Sequence, residues 1–318
     1  MKLKTTAIAM AVASNIAPPV AVQAGANELY ASARIGVWNV DEGGVNDLEV
    51  KSFDSRFGAR GETDLGNGLT GFGRYEWDVD ENDFTIRHRY VGLKGDFGSV
   101  LAGKDYHTFY NFVVGPLDIP WWHSGYAMVA FVGRTDDAIT YAGGSDNFTF
   151  GVTGYMVRDS EEDALDVYEI GARYTFGNDM ALSLAVQGTE ADLDDGTGTL
   201  IGNSNDEPVV GALLSDISLG SVKLAVGGQS QDDDTSFALH ADISNFYVHF
   251  ELEFLDEDSP ENDADGEDQD RVSSTLGYTQ SLGRKTTAYY EFNHIDNDTG
   301  DSDDDRTAIM AVLKYDII

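Results

Sequence analysis

Alternation with period two constrains this chain more than any other feature. Phe246, Val248, Phe250, Leu252 and Phe254 alternate with Tyr247, His249, Glu251 and Glu253. Phe148, Phe150 and Val152 alternate with Thr149, Gly151 and Thr153, and Ala288, Tyr290 and Phe292 with Thr287, Tyr289, Glu291 and Asn293. Successive side chains of a strand point to opposite faces, so each segment has one apolar and one polar face. Sixteen such segments can be placed, near 28–40, 51–61, 68–78, 84–95, 98–105, 134–142, 147–157, 165–176, 180–189, 207–216, 220–230, 234–243, 245–254, 271–280, 285–294 and 306–317.

The connections alternate in length. Tight ones such as Gly95-Asp96-Phe97-Gly98 and Gly177-Asn178-Asp179 exchange with mostly longer polar ones at 41–50, 79–83, 106–133, 158–164, 190–206, 231–233, 255–270 and 295–305. Short turns at one end and long loops at the other are expected of a transmembrane antiparallel β-barrel of the outer-membrane kind. Strand ends read this way shift by about two to four residues, which leaves fourteen and eighteen strands open beside sixteen. A soluble β-sandwich also alternates. Two features favour the barrel: aromatics at segment ends (Trp38, Trp77, Phe84, Phe148, Phe246, Phe254, Tyr315), where interface girdles belong, and Arg, Glu and His on the non-apolar faces.

The first 26 residues read as a secretory signal: Lys2 and Lys4, then a short apolar stretch from Thr5 to Ala13, with small-residue cleavage sites after Ala24 and Ala26. The barrel would occupy 27–318. There is no cysteine, so an exported chain of this kind holds together without disulfides. A formal net charge of -36 argues against nucleic acid as a partner, because phosphate binding needs a basic face.

Within this acidic chain the arginines are concentrated in the first strands. Where Ala31, Ile35 and Val37 form the apolar side of the first segment, Arg34 falls on the other. By the same parity Phe53, Phe57 and Ala59 leave Arg56 and Arg60 on the polar face, Leu69, Tyr75 and Trp77 leave Arg74, and Phe84, Ile86 and Tyr90 leave Arg87 and Arg89. An arginine facing lipid at mid-bilayer would cost about 2–4 kcal/mol, so the polar face is the lumen.

The stretch Ser55-Arg56-Phe57-Gly58-Ala59-Arg60-Gly61-Glu62-Thr63-Asp64-Leu65-Gly66-Asn67-Gly68-Leu69 resembles the second and third strands of general bacterial porins. Arg89-Tyr90-Val91-Gly92-Leu93-Lys94-Gly95-Asp96-Phe97-Gly98-Ser99-Val100-Leu101-Ala102-Gly103-Lys104 is similar to their fourth and fifth, and Phe131-Val132-Gly133-Arg134 to their return into the sixth. The resemblance implies sixteen strands and a third loop, 106–133, folded into the barrel to narrow it. It adds Lys104 and Arg134 to the basic wall and gives Asp118 the role of loop acid, with Trp121 and Trp122 beside it. It implies passive diffusion of ions and small hydrophilic solutes, a homotrimer, outer-membrane lipid and lipopolysaccharide as surroundings, and folding by the barrel-assembly machinery. The family's terminal aromatic is replaced by Ile317, followed by Ile318.

Other readings stay open at this point. A substrate-specific channel of the same barrel class, for a sugar or an anion, shares every feature above. Trp121, Trp122, His123 and Tyr126 could line a sugar path or pack the loop against the wall. An outer-membrane enzyme finds no support in an H-E-x-x-H or G-x-S-x-G motif among the six histidines and the serines. The acid runs at 255–270 and 295–305 suit at most weak calcium or magnesium binding, since neither has the spacing of an EF-hand loop. No cofactor is implied.

Overall fold

A computed structural model describes residues 27–79, 84–121, 133–155, 167–189, 193–194, 200–201, 208–255, 270–297 and 305–318. The proposed signal, Trp122, His123, Tyr126 and most of both acid runs lie outside the described residues. Sixteen antiparallel strands close into one barrel. They are β1 (Glu28–Glu42), β2 (Val45–Ser52 continued by Ser55–Gly66), β3 (Leu69–Val79), β4 (Phe84–Gly95), β5 (Gly98–Lys104), β6 (Ala138–Gly144), β7 (Phe148–Tyr155) and β8 (Val167–Thr175). There follow β9 (Ala181–Thr189), β10 (Val209–Leu219), β11 (Val222–Gln231), β12 (Asp234–Ile243), β13 (Phe246–Phe254), β14 (Arg271–Ser281), β15 (Thr286–Asp296) and β16 (Arg306–Asp316). Each pairs with its sequence neighbour, and β1 closes the circle on β16 with Ile35 opposite Leu313 and Trp38 opposite Met310. Closure removes the open edges that lipid would not tolerate.

The faces separate as alternation demands. Along β13, Phe246, Val248, Phe250 and Phe254 are exposed on the outside, while Tyr247, His249, Glu251 and Glu253 are buried within. Val91, Phe237, Leu276, Phe292 and Ile309 continue an apolar outer belt that suits hydrocarbon rather than water.

Three local features reshape the first four strands. Residues 45–50, expected in a loop, extend β2: Gly43 and Gly44 adopt φ of 59° and 69°, and this tight turn pairs Val45 with Glu42. At Phe53-Asp54 the strand is interrupted, with Asp54 at φ 55°, and the phase slips. Phe53 therefore packs inward rather than joining Phe57 on the outer side, and Trp38 leaves the expected girdle to pack on it at a centroid distance of 5.9 Å. In β4 a bulge sets Glu76 opposite His88 and Trp77 opposite Ile86, so Arg87 is the extra residue. Arg87 and His88 are both buried inside, and every later residue of β4 has the opposite face from the one that simple parity assigns.

Candidate functional site

The bulge decides which cations reach the lumen. Arg34, Arg56, Arg60, Arg74 and Arg87 project from β1 to β4 on the inner side. Arg89 does not. It shares its face with Val91, which is 70% exposed, and with Leu93, and it pairs with Asp136 at 3.2 Å. Its expected place on the lumen wall is thus corrected by one inserted residue. Lys104 stands opposite Arg89 in the ladder, at the end of β5, and lines a cleft of about 290 Å³ with Asp78, Arg87, Tyr106 and Arg134.

The wall is mixed rather than purely basic. The order Arg74-Tyr75-Glu76-Trp77-Asp78 puts three charges inward and two aromatics outward, where Tyr75 and Trp77 stand 4.3 Å apart and Phe57 stacks on Trp77. Glu76, 1% exposed, is the hub. Its Oε2 accepts from Tyr30 Oη at 2.8 Å and from Arg74 Nη2 at 2.6 Å, and its Oε1 from Arg87 Nε at 3.3 Å. Arg87 also reaches Asp54 at 3.5 Å and Asp78 at 3.4 Å, and Arg56 reaches Asp54 at 3.2 Å. His88 Nδ1 lies 2.8 Å from Asp105. Towards the short-turn end Arg60 pairs with Glu28 and Lys94 with Glu62. A buried carboxylate is tolerated only when its charge is paired, and Glu76 meets that condition with two arginines. Glu76 and Asp78 share the parity of Arg74 in β3 and are legible from it as inward acids beside the cations of the wall.

The connection between β5 and β6 folds into the barrel, as expected. From Tyr106 it enters a helical turn containing a π-helical segment, Tyr110–Val114. Phe109, Tyr110, Phe112, Val113 and Val114 pack on Ala185 and Val209. Leu117 packs on Leu213, Ala225 and Ala238, farther round the wall. Trp121 then reaches Tyr289 at 4.7 Å and Phe53 at 6.4 Å, while its backbone N–H donates to Glu291 at 2.9 Å. Tyr247 donates to the same Glu291 oxygen at 2.5 Å. Trp121 thus packs the loop against the wall, the second of the two roles open to it.

What seats the loop is a row of missing side chains. Gly151, Gly171, Ala185 and Gly211 stand directly opposite one another on β7, β8, β9 and β10. A Cβ on Gly171 would lie 2.8 Å from Thr108 Cγ2 and 2.9 Å from Phe112 Cδ2; one on Gly211 would lie 2.9 Å from Phe109 and from Val113. Periodicity did not single out this row, because each glycine looks like an ordinary weak point of its own strand.

Loop and wall meet at two stacked tyrosines. Tyr106 and Tyr110 lie 3.9 Å apart and 8° from parallel. Arg87 Nη2 donates to Tyr106 Oη at 3.1 Å, and the Arg134 guanidinium sits 4.6 Å from the Tyr106 ring centre. Tyr110 Oη donates to Asp118 at 2.6 Å. The basic wall and the loop acid are therefore joined through Tyr106 and Tyr110. Arg34 lies 5.5 Å from the Trp121 ring centre.

Comparison with known proteins agrees with this architecture. No curated protein matches the chain. Solved structures share the fold: in-vitro folded OmpT, an outer membrane protein of Vibrio cholerae, superposes with a TM-score of 0.69 at 16% identity, over 93% of this chain and 98% of that one. Salmonella typhi OmpF, in a complex with daunomycin, gives 0.68 at 15% over 91% and 97%, and a mutant of the Rh. blastica porin gives 0.65 at 13% over 92% and 100%. The family model for Gram-negative porins matches residues 5–300. That match covers most of the chain, and with the closed barrel and its inward loop it makes this protein a member of the Gram-negative porin family, seated in the outer membrane.

Proposed function

We propose that the lumen is a water-filled path for passive diffusion of ions and small hydrophilic solutes, narrowed between the loop at Tyr106–Trp121 and the charged wall of β1 to β4. The observation that carries this reading is a loop held inside the barrel, facing a wall with charges of both signs. Opposite charges across a narrow water column orient polar solutes and filter by size and charge. Arg34, Arg56, Arg74, Arg87 and Arg134 are the proposed cations of the constriction, Asp54, Glu76, Asp78 and Asp118 its acids, and Arg60 a contributor nearer the short-turn end; Lys104, which shares the face of Arg89 in the ladder, borders the cleft from the end of β5. No covalent step is required, and the fold and family favour a channel over an enzyme.

Purified protein in planar bilayers should give current that rises linearly with salt concentration. Saturable block by one class of sugar or anion would replace this reading with that of a substrate-specific channel. We propose a homotrimer as the working assembly, supported by family membership; OmpT of Vibrio cholerae is described in a trimer form. Loss of a slow-migrating band on heating before electrophoresis tests it. Lipopolysaccharide contact, assembly by the barrel machinery and removal of residues 1–26 are proposed from the same family reading. For the acid runs at 255–270 and 295–305 we propose weak divalent binding at most, and calorimetry showing tight stoichiometric calcium uptake would overturn that.

A further inference from the structure

We infer that His107 and Glu169 are a positioning pair for the constriction loop, and that protonation of His107 loosens the loop's return limb. The inference rests on the channel reading above. His107 is buried where the loop leaves the wall and meets its own return. Its backbone N–H donates to Gly133 O at 3.0 Å. Its ring Nε2 lies 3.1 Å from the backbone nitrogen of Thr135 and 3.2 Å from Thr135 Oγ1. A backbone N–H can only donate, so Nε2 must present a lone pair, which places the proton of the neutral ring on Nδ1.

On the other side, Nδ1 faces Glu169 Oε1 of β8 at 3.4 Å, with no hydrogen bond closed by either atom. Glu169 Oε2 accepts the Phe109 N–H at 2.6 Å, at the start of the helical turn. One carboxylate and one imidazole thereby tie the outgoing limb, the return limb and the wall together. The other groups against the ring are Tyr155 of β7, with ring centres 5.2 Å apart, and the Thr135 hydroxyl; neighbouring Arg134 turns to Tyr106 instead.

A second proton on His107 converts Nε2 from acceptor to donor. It then opposes the Thr135 N–H donor to donor, and a buried donor without a partner is costly. The Thr135 hydroxyl can turn to accept from Nε2, but the backbone N–H cannot. Nδ1 keeps its proton and its place facing Glu169. Protonation therefore breaks the tie to the return limb while leaving the tie to β8 in place.

The test is single-channel recording of purified protein between about pH 8 and about pH 5. Wild type should show a step to noisier open-channel current as pH falls. His107→Gln supplies an amide oxygen to accept from Thr135 and cannot take up the proton, so it should keep the quiet high-pH current and lose the step. Glu169→Ala removes the acceptor of the Phe109 N–H and should be noisy at every pH. His107→Ala should be noisy at every pH. A pH profile of His107→Gln that matches wild type would overturn the inference, because the step would then belong to other titrating groups. Absence of any conductance in wild type would overturn the channel reading and, with it, this inference.

Discussion

The two sides of the lumen are built on opposite plans. The wall of β1 to β4 carries dense charge and breaks its own alternation beside the loop, at Phe53-Asp54 and at Arg87. The wall of β7 to β10 keeps its register through the row where Gly151, Gly171, Ala185 and Gly211 replace inward side chains, and its one shift, between Leu214 and Ile217, lies beyond that row. One side aims charges; the other makes room. The breaks have a physical use. An extra residue in β4 turns Arg87 and His88 to the same side, so that Glu76 meets Arg74, Arg87 and the His88 ring from within one barrel layer. Regular strands could not bring that many ionic groups to one carboxylate. The glycine row works only because regular register keeps it continuous from strand to strand.

The largest effect expected on the charged side is at its hub. Glu76→Ala leaves Arg74 and Arg87 without their shared carboxylate, a loss on the order of 3–5 kcal/mol for a buried ion-pair network. Heat-modifiability on gels should fall by many degrees, and a melting profile like wild type would show that Asp54 and Asp78 carry Arg87 alone. On the opposite wall, Gly171→Leu forces a side chain into the space of Thr108 and Phe112. Overpacking of this kind costs about 1–3 kcal/mol, and here the loop is the softer partner. Single-channel conductance should therefore change more than barrel stability; the reverse order would mean that the wall yields and the loop stays.

Selectivity separates residues within the charged side. Arg56→Ala and Arg134→Ala remove cations from the constriction and should shift reversal potentials further toward cations. Arg89→Ala, on the outer face, should leave the reversal potential where it was. Equal shifts for Arg89 and Arg56 would mean that the bulge does not set the face as described. The smallest effect is expected at Arg60, where a pair with Glu28 is 58% exposed on the arginine side and screened by salt.

Much of this is legible in the sequence. Strand number, the closed antiparallel order and the inward loop follow from alternation, connection lengths and family resemblance. The positions of Arg34, Arg56, Arg74 and Arg87 followed from parity because their near neighbours, such as Ile35, Phe57 and Tyr75, are unambiguous. Arg89 was misplaced for the same reason that Arg87 was placed correctly: parity counts residues, and a bulge adds one without a distinctive side chain. Phe53 and Trp38, expected among the outward aromatics, lie inside, because size and apolarity fit an inner cluster with Trp121 and Tyr289 equally well.

Alternation is a property of each strand alone, and so the sequence by itself determined that this chain has two faces, that it closes as a barrel and that arginines crowd its first strands. Which residues meet across strands is a property of register. Only the tertiary structure could decide that Glu76 neutralises Arg74 and Arg87, that four small residues line up to receive the loop, and that His107 stands between the limbs of that loop. Those contacts join positions far apart in the chain, and no local pattern reports the phase at which distant segments pair.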